Sequence, residues 1–556
     1  MPDRFFNSGV CGLIALAFAT TAGGQAPVAV ESAQISKDAF STGTLTAADG
    51  ALHRRLWANT DQSTISNLLD MAPETPATPA IGELMRRLLL TEAPGPAGDN
   101  TEIGGKKLVV LANAGFVDDA ITIASLSSAL RSDAYVNQVG AINGLLKGEI
   151  NDACARSARL TNNQEELFWV RLRAFCYVAN DERDAADLTL SILRERGGLS
   201  DDDEVLFRSL LTGSSLKQDV RVKSPLQYAM ARRTETPILA GRLTEASGAV
   251  LVAIASDPSH EDAVRIDAAQ RAVAIGAMGT NQLEALFVSV QFDLAEFDQV
   301  SAAIENRPAD LTVDALLYQF IQTMNAPEFL RDKAKRIADA VSLGDTPSRA
   351  YALAKIYFGE ISALDGVLVA PEEASVFASV AMANGDAVGA AKWLQAIVGA
   401  NDSIAALPQA IAIDFIEKTN LLAVLDPDTA ARVAVDAEVA LDPGVFARGK
   451  IENGNAKTNA DVIAAAFHAA VEDLPGQAGL AALAASDGHA GGAELEAVVV
   501  GHAMRVAGTP ELERRFAFEK AWQATFASAK PASIAKSAGS NGDDGLTPRV
   551  KPRNSQ

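Results

Sequence analysis

Apolar residues recur three and four positions apart through most of the chain, and runs that alternate residue by residue are almost absent. That period belongs to amphipathic helices, and from Lys106 onward it predicts helix, short turn, helix in succession. Upstream, residues 51–100 read as a pair of helices split by the Pro/Thr stretch Pro73–Pro79 and closed by a Pro/Gly linker near Asn100. Helix starts share a format of cap, proline and acid: "NAPEFL" at Asn325, "GDTPSRA" around Asp345, "APEEAS" at Pro371 and "GTPELE" at Thr509. Proline loses no hydrogen bond at the first helical position, and acids there meet the positive end of the helix dipole. The acids of "SDDDEVLF" at Ser200 are read in the same way, as a cap and not as a cation loop.

Three stretches share one layout. "LVVLANAGFVDDAITIAS" has Gly115 in a turn and Ala120 five residues on, "AINGLLKGEINDACARSA" has Gly148 and Ala153, and "RAFCYVANDERDAADLTL" has Asp181 and Ala186. The alanines stand at 120, 153 and 186, so the step is 33 residues, a period of stacked helical hairpins. A small residue is needed where the second helix of a hairpin crosses the first at close range. "VFASVAMANGDAVGAAKWLQAI" repeats the layout with Ala378, Gly385 and Ala390.

These units resemble tetratricopeptide (TPR) repeats. The small first-helix position of that family matches Ala141 and Ala174 but is Leu108 in the first unit. The aromatic position is met by Tyr177 alone, with Leu111 and Gly144 elsewhere. The resemblance implies an all-α fold, an α-solenoid of degenerate TPR-like hairpins, with a concave surface for a protein or peptide. Arg171, Arg173, Arg349 and Lys355 are candidates to line it. The layout is also similar to a group of uncharacterised exported all-helical proteins of Gram-negative bacteria. Leu56–Trp57, "RRLLL" at Arg86–Leu90, Cys154 with Cys176, and "GDAVGAAKW" carry that likeness. Some of that group bear a label relating them to antifreeze glycopeptide precursors, which need Ala-Ala-Thr runs that this chain lacks.

Composition strengthens the helical reading. Of 556 residues 48% are hydrophobic but only 6% aromatic; the balance is rich in alanine, the best helix former. The net charge of -22 opposes nucleic acid, whose binding rests on phosphate neutralisation. At the amino end, Arg4, an apolar stretch over Val10–Ala19 and small residues follow the plan of a secretory signal peptide. The apolar stretch is shorter than the roughly 20 residues a bilayer requires, and an uncleaved anchor or a buried helix is the alternative. Six regions result: a signal over 1–24, a flexible leader over 25–50, the helical pair over 51–100, TPR-like repeats over 101–215, a continued helical-repeat region over 216–528, and a disordered tail over 529–556. The expected location is periplasmic or secreted, with no stable membrane insertion after signal cleavage.

Signal removal leaves Cys154 and Cys176, an even pair suited to a disulfide in an oxidising compartment. Two separately buried thiols are the alternative, and the spacing is not that of a redox or metal CxxC motif. His53, His260, His468, His489 and His502 are scattered and form no HExxH pattern. His468 and His502 sit among apolar helical residues and read as core or rim positions, and the four tryptophans read as core filling. No GxSxG elbow or phosphate loop is present. The expectation is therefore a chain with no catalytic residue, metal or cofactor: an exported scaffold for an unidentified protein or peptide. The competing readings are the helical superstructure of a cell-wall-acting enzyme and a self-assembling envelope protein.

Overall fold

A computed structural model describes residues 38–127, 133–214, 220–364, 367–386, 388–393, 462, 465–466, 468–486 and 493–528. Among them every regular element is helical, and the one extended contact is a parallel bridge between Leu45 and Thr91. The expected signal and the tail from 529 lie outside the described residues. Helices α1 (Gln62–Asp70) and α2 (Pro79–Leu90) flank the Pro73–Pro79 stretch. Three hairpins follow: α3 (Thr101–Asn113) with α4 (Val117–Leu126), α5 (Ala134–Lys147) with α6 (Ile150–Ala158), and α7 (Leu167–Ala179) with α8 (Arg183–Glu195). Next come α9 (Asp201–Thr212), α10 (Pro225–Arg233), α11 (Gly248–Ser256), α12 (Asp262–Ala274) and α13 (Thr280–Ser289). The short α14 (Leu294–Asp298) and α15 (Val300–Asn306) lead to α16 (Thr312–Gln322), α17 (Leu330–Ser342), α18 (Pro347–Ser362) and α19 (Pro371–Ala383). The last described are α20 (Pro475–Ala485), α21 (Ala493–Val506) and α22 (Pro510–Ser528).

Local chemistry explains the starts. Thr78 and Thr346 accept hydrogen bonds from the N–H groups of Ile81 and Arg349, each with proline at the next position. Ser200 and Asp203 form a reciprocal capping box on α9. The three hairpin turns share one backbone course. Gly115, Gly148 and Asp181 take φ of 103°, 77° and 62°, a region open to glycine and tolerated by aspartate. The next residues, Phe116, Glu149 and Glu182, donate N–H groups back to the carbonyls of Leu111, Gly144 and Tyr177 at 2.9, 2.7 and 2.8 Å. Ala120, Ala153 and Ala186 then donate to the carbonyls of Phe116, Glu149 and Glu182 at 3.0–3.2 Å, and all three alanines are fully buried. Gly385, Asp386 and Ala390 repeat the pattern, with φ of 74° at Gly385 and Ala390 buried. A Cβ added to Gly144 would lie 3.2 Å from the carbonyl oxygen of Glu149 and in ordinary contact, at 3.5 Å, with the Cβ of Ala153, so the turn is close here.

Contacts reach beyond adjacent hairpins. Helix α10 packs on α5, α11 on α3 and α5, and α12 on α18. The C-terminal helices return to the beginning: α20 packs on α1 and α2, and α22 on α2, α18 and α19. An array in which each unit touches only the next does not describe these contacts. They depend on missing side chains. A Cβ on Gly82 in α2 would fall 2.0 Å from the carbonyl oxygen of Ile275, and one on Gly248 would fall 2.1 Å from that of Ala114. Two apolar cores result, one joining residues 39–142 to residues 462–516 and one built mainly from 134–393, with Leu146 and Phe168 packed against both.

Buried charges join the elements. Arg349 and Asp314 are 2% and 0% exposed. Arg349 donates Nη2 to Oδ1 at 2.7 Å and Nε to Oδ2 at 2.9 Å, and Gln270 donates to Oδ2 at 2.7 Å, so α12, α16 and α18 share one joint. Removing one partner of such a pair costs about 3–5 kcal/mol. Arg349 therefore does not line a surface; Lys355 is half-buried, with its ammonium 5.2 Å from the centre of the Tyr351 ring. Arg171 and Arg173 each donate to a backbone carbonyl, of Gly198 and Gln164.

Residues 38–50, expected to be loose, are part of the fold. Phe40 is fully buried, and Lys107 donates to the carbonyls of Phe40 and Thr42 at 2.9 and 2.7 Å. The small, polar composition of this stretch conceals its backbone role, because the carbonyls do the binding. Burial lowers the Lys107 ammonium to about 7. The unfolded chain then holds one proton more than the folded chain between pH about 7 and the ordinary lysine value, so stability rises with pH across that window. Urea denaturation of Lys107→Met should show a smaller gain between those limits than the wild type; equal gains would remove Lys107 as the source. Ala153→Trp should destabilise by about 1–3 kcal/mol through overpacking, read as a lower melting temperature.

Candidate functional site

The sequence-derived positions fall into the scaffold. Cys154 on α6 and Cys176 on α7 are joined as a disulfide, with Cα atoms 5.7 Å apart. It ties the second hairpin to the third, and closing a loop of 22 residues constrains the unfolded chain by about 3 kcal/mol. Ala120, Ala153, Ala186 and Ala390 are buried at their turns and line neither of the two cavities described below. His468 and His502 are exposed, not core or rim, because they lie on the outer faces of their helices; His489 lies outside the described residues. Trp57, Trp169 and Trp393 fill the cores, whereas Trp522 borders a cavity. Among the described residues no three His, Cys, Asp or Glu side chains are grouped to hold a metal ion, and no helix is long and apolar enough to cross a membrane.

A cavity of about 580 Å³ opens where several helix ends converge. Its apolar wall is Phe116, Leu146, Ala249, Val252 and Ala253. Polar groups arrive from separate elements: Asp118 and Asp119 from the first turn of α4, Lys147 from the end of α5 and Arg232 from the end of α10. The N-cap of α4 is Phe116, which offers no side-chain acceptor, so the first N–H groups of this helix are left for other partners. The size and the mixture of apolar wall with a few polar groups suit a ligand.

Behind the cavity, three side chains, Tyr228, Asp257 and His260, surround Arg232. Tyr228 and Arg232 lie four apart on α10, so they share a face, and the guanidinium stands 5.6 Å over the Tyr228 ring. Asp257 ends α11, and Pro258 stops the helix from continuing. The turn brings His260 back, with Nε2 3.1 Å from the Tyr228 hydroxyl. That hydroxyl also donates to Asp257 Oδ2 at 3.2 Å, and the same carboxylate lies 3.5 Å from Arg232 and 3.9 Å from His260. Burial, assisted by the Asp257 charge, raises the Tyr228 hydroxyl far above its ordinary range, so it keeps its proton. Burial lowers the His260 imidazole, and Asp257 opposes that shift. The arrangement orients a cation at the cavity edge.

Sequence reasoning missed this cluster. Tyr228 reads as an apolar helix position, and His260 stands 28 residues from Arg232. The available signal was the "DPSH" loop at Asp257, a helix stop carrying an acid and an imidazole. The chain matches no protein-family profile, no curated protein and no solved structure.

Asp257→Asn removes the charge that favours the imidazolium, so His260 should titrate at lower pH than in the wild type. Proton NMR of the His260 ring reads this directly; an unchanged titration would mean that Asp257 does not act on it. Because burial places the His260 value below that of the unfolded chain, its contribution to stability is lost as pH falls through that window.

Proposed function

We propose that the chain is a non-catalytic, exported scaffold of degenerate TPR-like hairpins that binds a peptide, or an extended segment of a protein, in the cavity between α4, α5, α10 and α11. The observation that carries this reading is the cavity itself: an apolar wall at Leu146, Val252 and Ala253, with carboxylates at Asp118 and Asp119 and cations at Lys147 and Arg232. A peptide supplies the matching set, since apolar side chains meet the wall, backbone carbonyls meet the uncapped N–H groups of α4, and its charges meet both signs. The recurring turns at Gly115, Gly148 and Asp181 support reading the hairpins as TPR-like. Export is supported by the apolar stretch Val10–Ala19 and by the Cys154–Cys176 disulfide, which suits an oxidising compartment. The net charge of -22 argues against nucleic acid as the partner.

Selection of displayed random peptides on the full-length protein tests the reading. Enriched peptides should pair apolar residues with charged ones. Val252→Glu should weaken their binding at least tenfold at an unchanged melting temperature, since one buried apolar anchor contributes about 1.5–3 kcal/mol. Peptides that bind the variant and the wild type equally well occupy another surface and would overturn the assignment.

A further inference from the structure

We propose that a second cavity, of about 530 Å³, is a binding site for a neutral polyhydroxylated ligand, a mono- or disaccharide. It opens where segments far apart in sequence meet: the loop before α2, the end of α12, the start of α18, and α22. It shares no lining residue with the peptide cavity, so either assignment can fail without the other.

The charges on its wall exclude ionic ligands. Three carboxylates, Glu74, Glu245 and Glu519, face it with one guanidinium, Arg271. An anion would meet three like charges. A cation gains little, because the carboxylates are already engaged: Glu245 pairs with Lys223 and with Arg221, and Glu519 lies 3.6 Å from Arg515. Glu74 also has a partner. What remains in these groups is hydrogen-bonding capacity.

That capacity is specific. Glu519 is 3% exposed, and its Oε2 accepts the Ala80 N–H at 2.7 Å; Arg515 Nη2 stands 3.6 Å from Oε1, too far to donate, so Oε1 receives no hydrogen bond. A buried acceptor without a donor is costly, and a ligand hydroxyl supplies one. Arg271 spends its Nε on Asp267 at 2.7 Å, which leaves the outer nitrogens of the guanidinium as donors. Ser348 adds a hydroxyl that can donate or accept. Trp522 contributes the flat apolar surface. A sugar ring has the complementary form: a C–H face to lie on an indole, and a rim of hydroxyls that both give and receive hydrogen bonds.

The test uses the full chain with N-acetylglucosamine, glucose and maltose, and with spermidine and citrate as charged controls. A bound sugar should change tryptophan fluorescence saturably at up to tens of millimolar, and should raise the melting temperature, because it binds only where the distant segments are assembled. Glu519→Gln should weaken the sugar about tenfold. Ser348→Trp, which fills the cavity, should abolish the response while leaving selected peptides bound, and it serves alone if Glu519→Gln does not fold. Absence of saturable sugar binding, preference for spermidine or citrate, or sugar binding that survives Ser348→Trp would each overturn the assignment.

Discussion

Helices far apart in this sequence touch at points where one of them carries no side chain. Gly82 meets the carbonyl of Ile275, and Gly248 meets that of Ala114, at distances that leave no space for a methyl group. Interiors are packed as densely as organic crystals, so such contacts set helix positions to within tenths of an ångström. Both cavities inherit their shape from them. Gly115 and Ala277, at the edge of the cavity lined by Phe116 and Arg232, form another: a Cβ on Gly115 would lie 2.6 Å from that of Ala277.

Buried polar groups then select one arrangement among the many that a surplus of alanine and leucine would permit. The Arg349–Asp314 fork with Gln270 has no acceptable partner if α18 slides by one turn against α16. The Lys107 ammonium is satisfied only by the carbonyls of Phe40 and Thr42. Each demands full pairing, because an unmet charge in an apolar interior is far more costly than the pair is beneficial. The Tyr228, Asp257 and His260 group applies the same rule beside open space, and its product is a guanidinium with a defined direction.

The helices themselves were legible in the sequence. The Thr78–Pro79, Ser224–Pro225 and Thr346–Pro347 steps each open one, because the cap and the proline act locally; Pro327 opens only a short 3-10 turn. The turn residues Gly115, Gly148 and Asp181 were legible for the same reason. The closure of α22 on α2 was not. Apolar periodicity tells which face of a helix is buried and is silent on the partner. Arg349 misled because a buried cation and a solvated one look alike in sequence. The two cavities were invisible in the sequence, since Arg232, Asp257 and His260, or Glu519 and Ser348, come together only in the fold.

The return of α20 and α22 to α1 and α2 has a kinetic consequence. A polypeptide made from its amino end completes α2 almost four hundred residues before the helices that cover it exist. Until then Leu84, Met85, Leu88 and Leu89, all fully buried in the finished fold, have no final cover. The nascent chain is thus obliged to wait with adhesive surface on display, and a holding chaperone, or delivery of the chain still unfolded, would shorten that exposure.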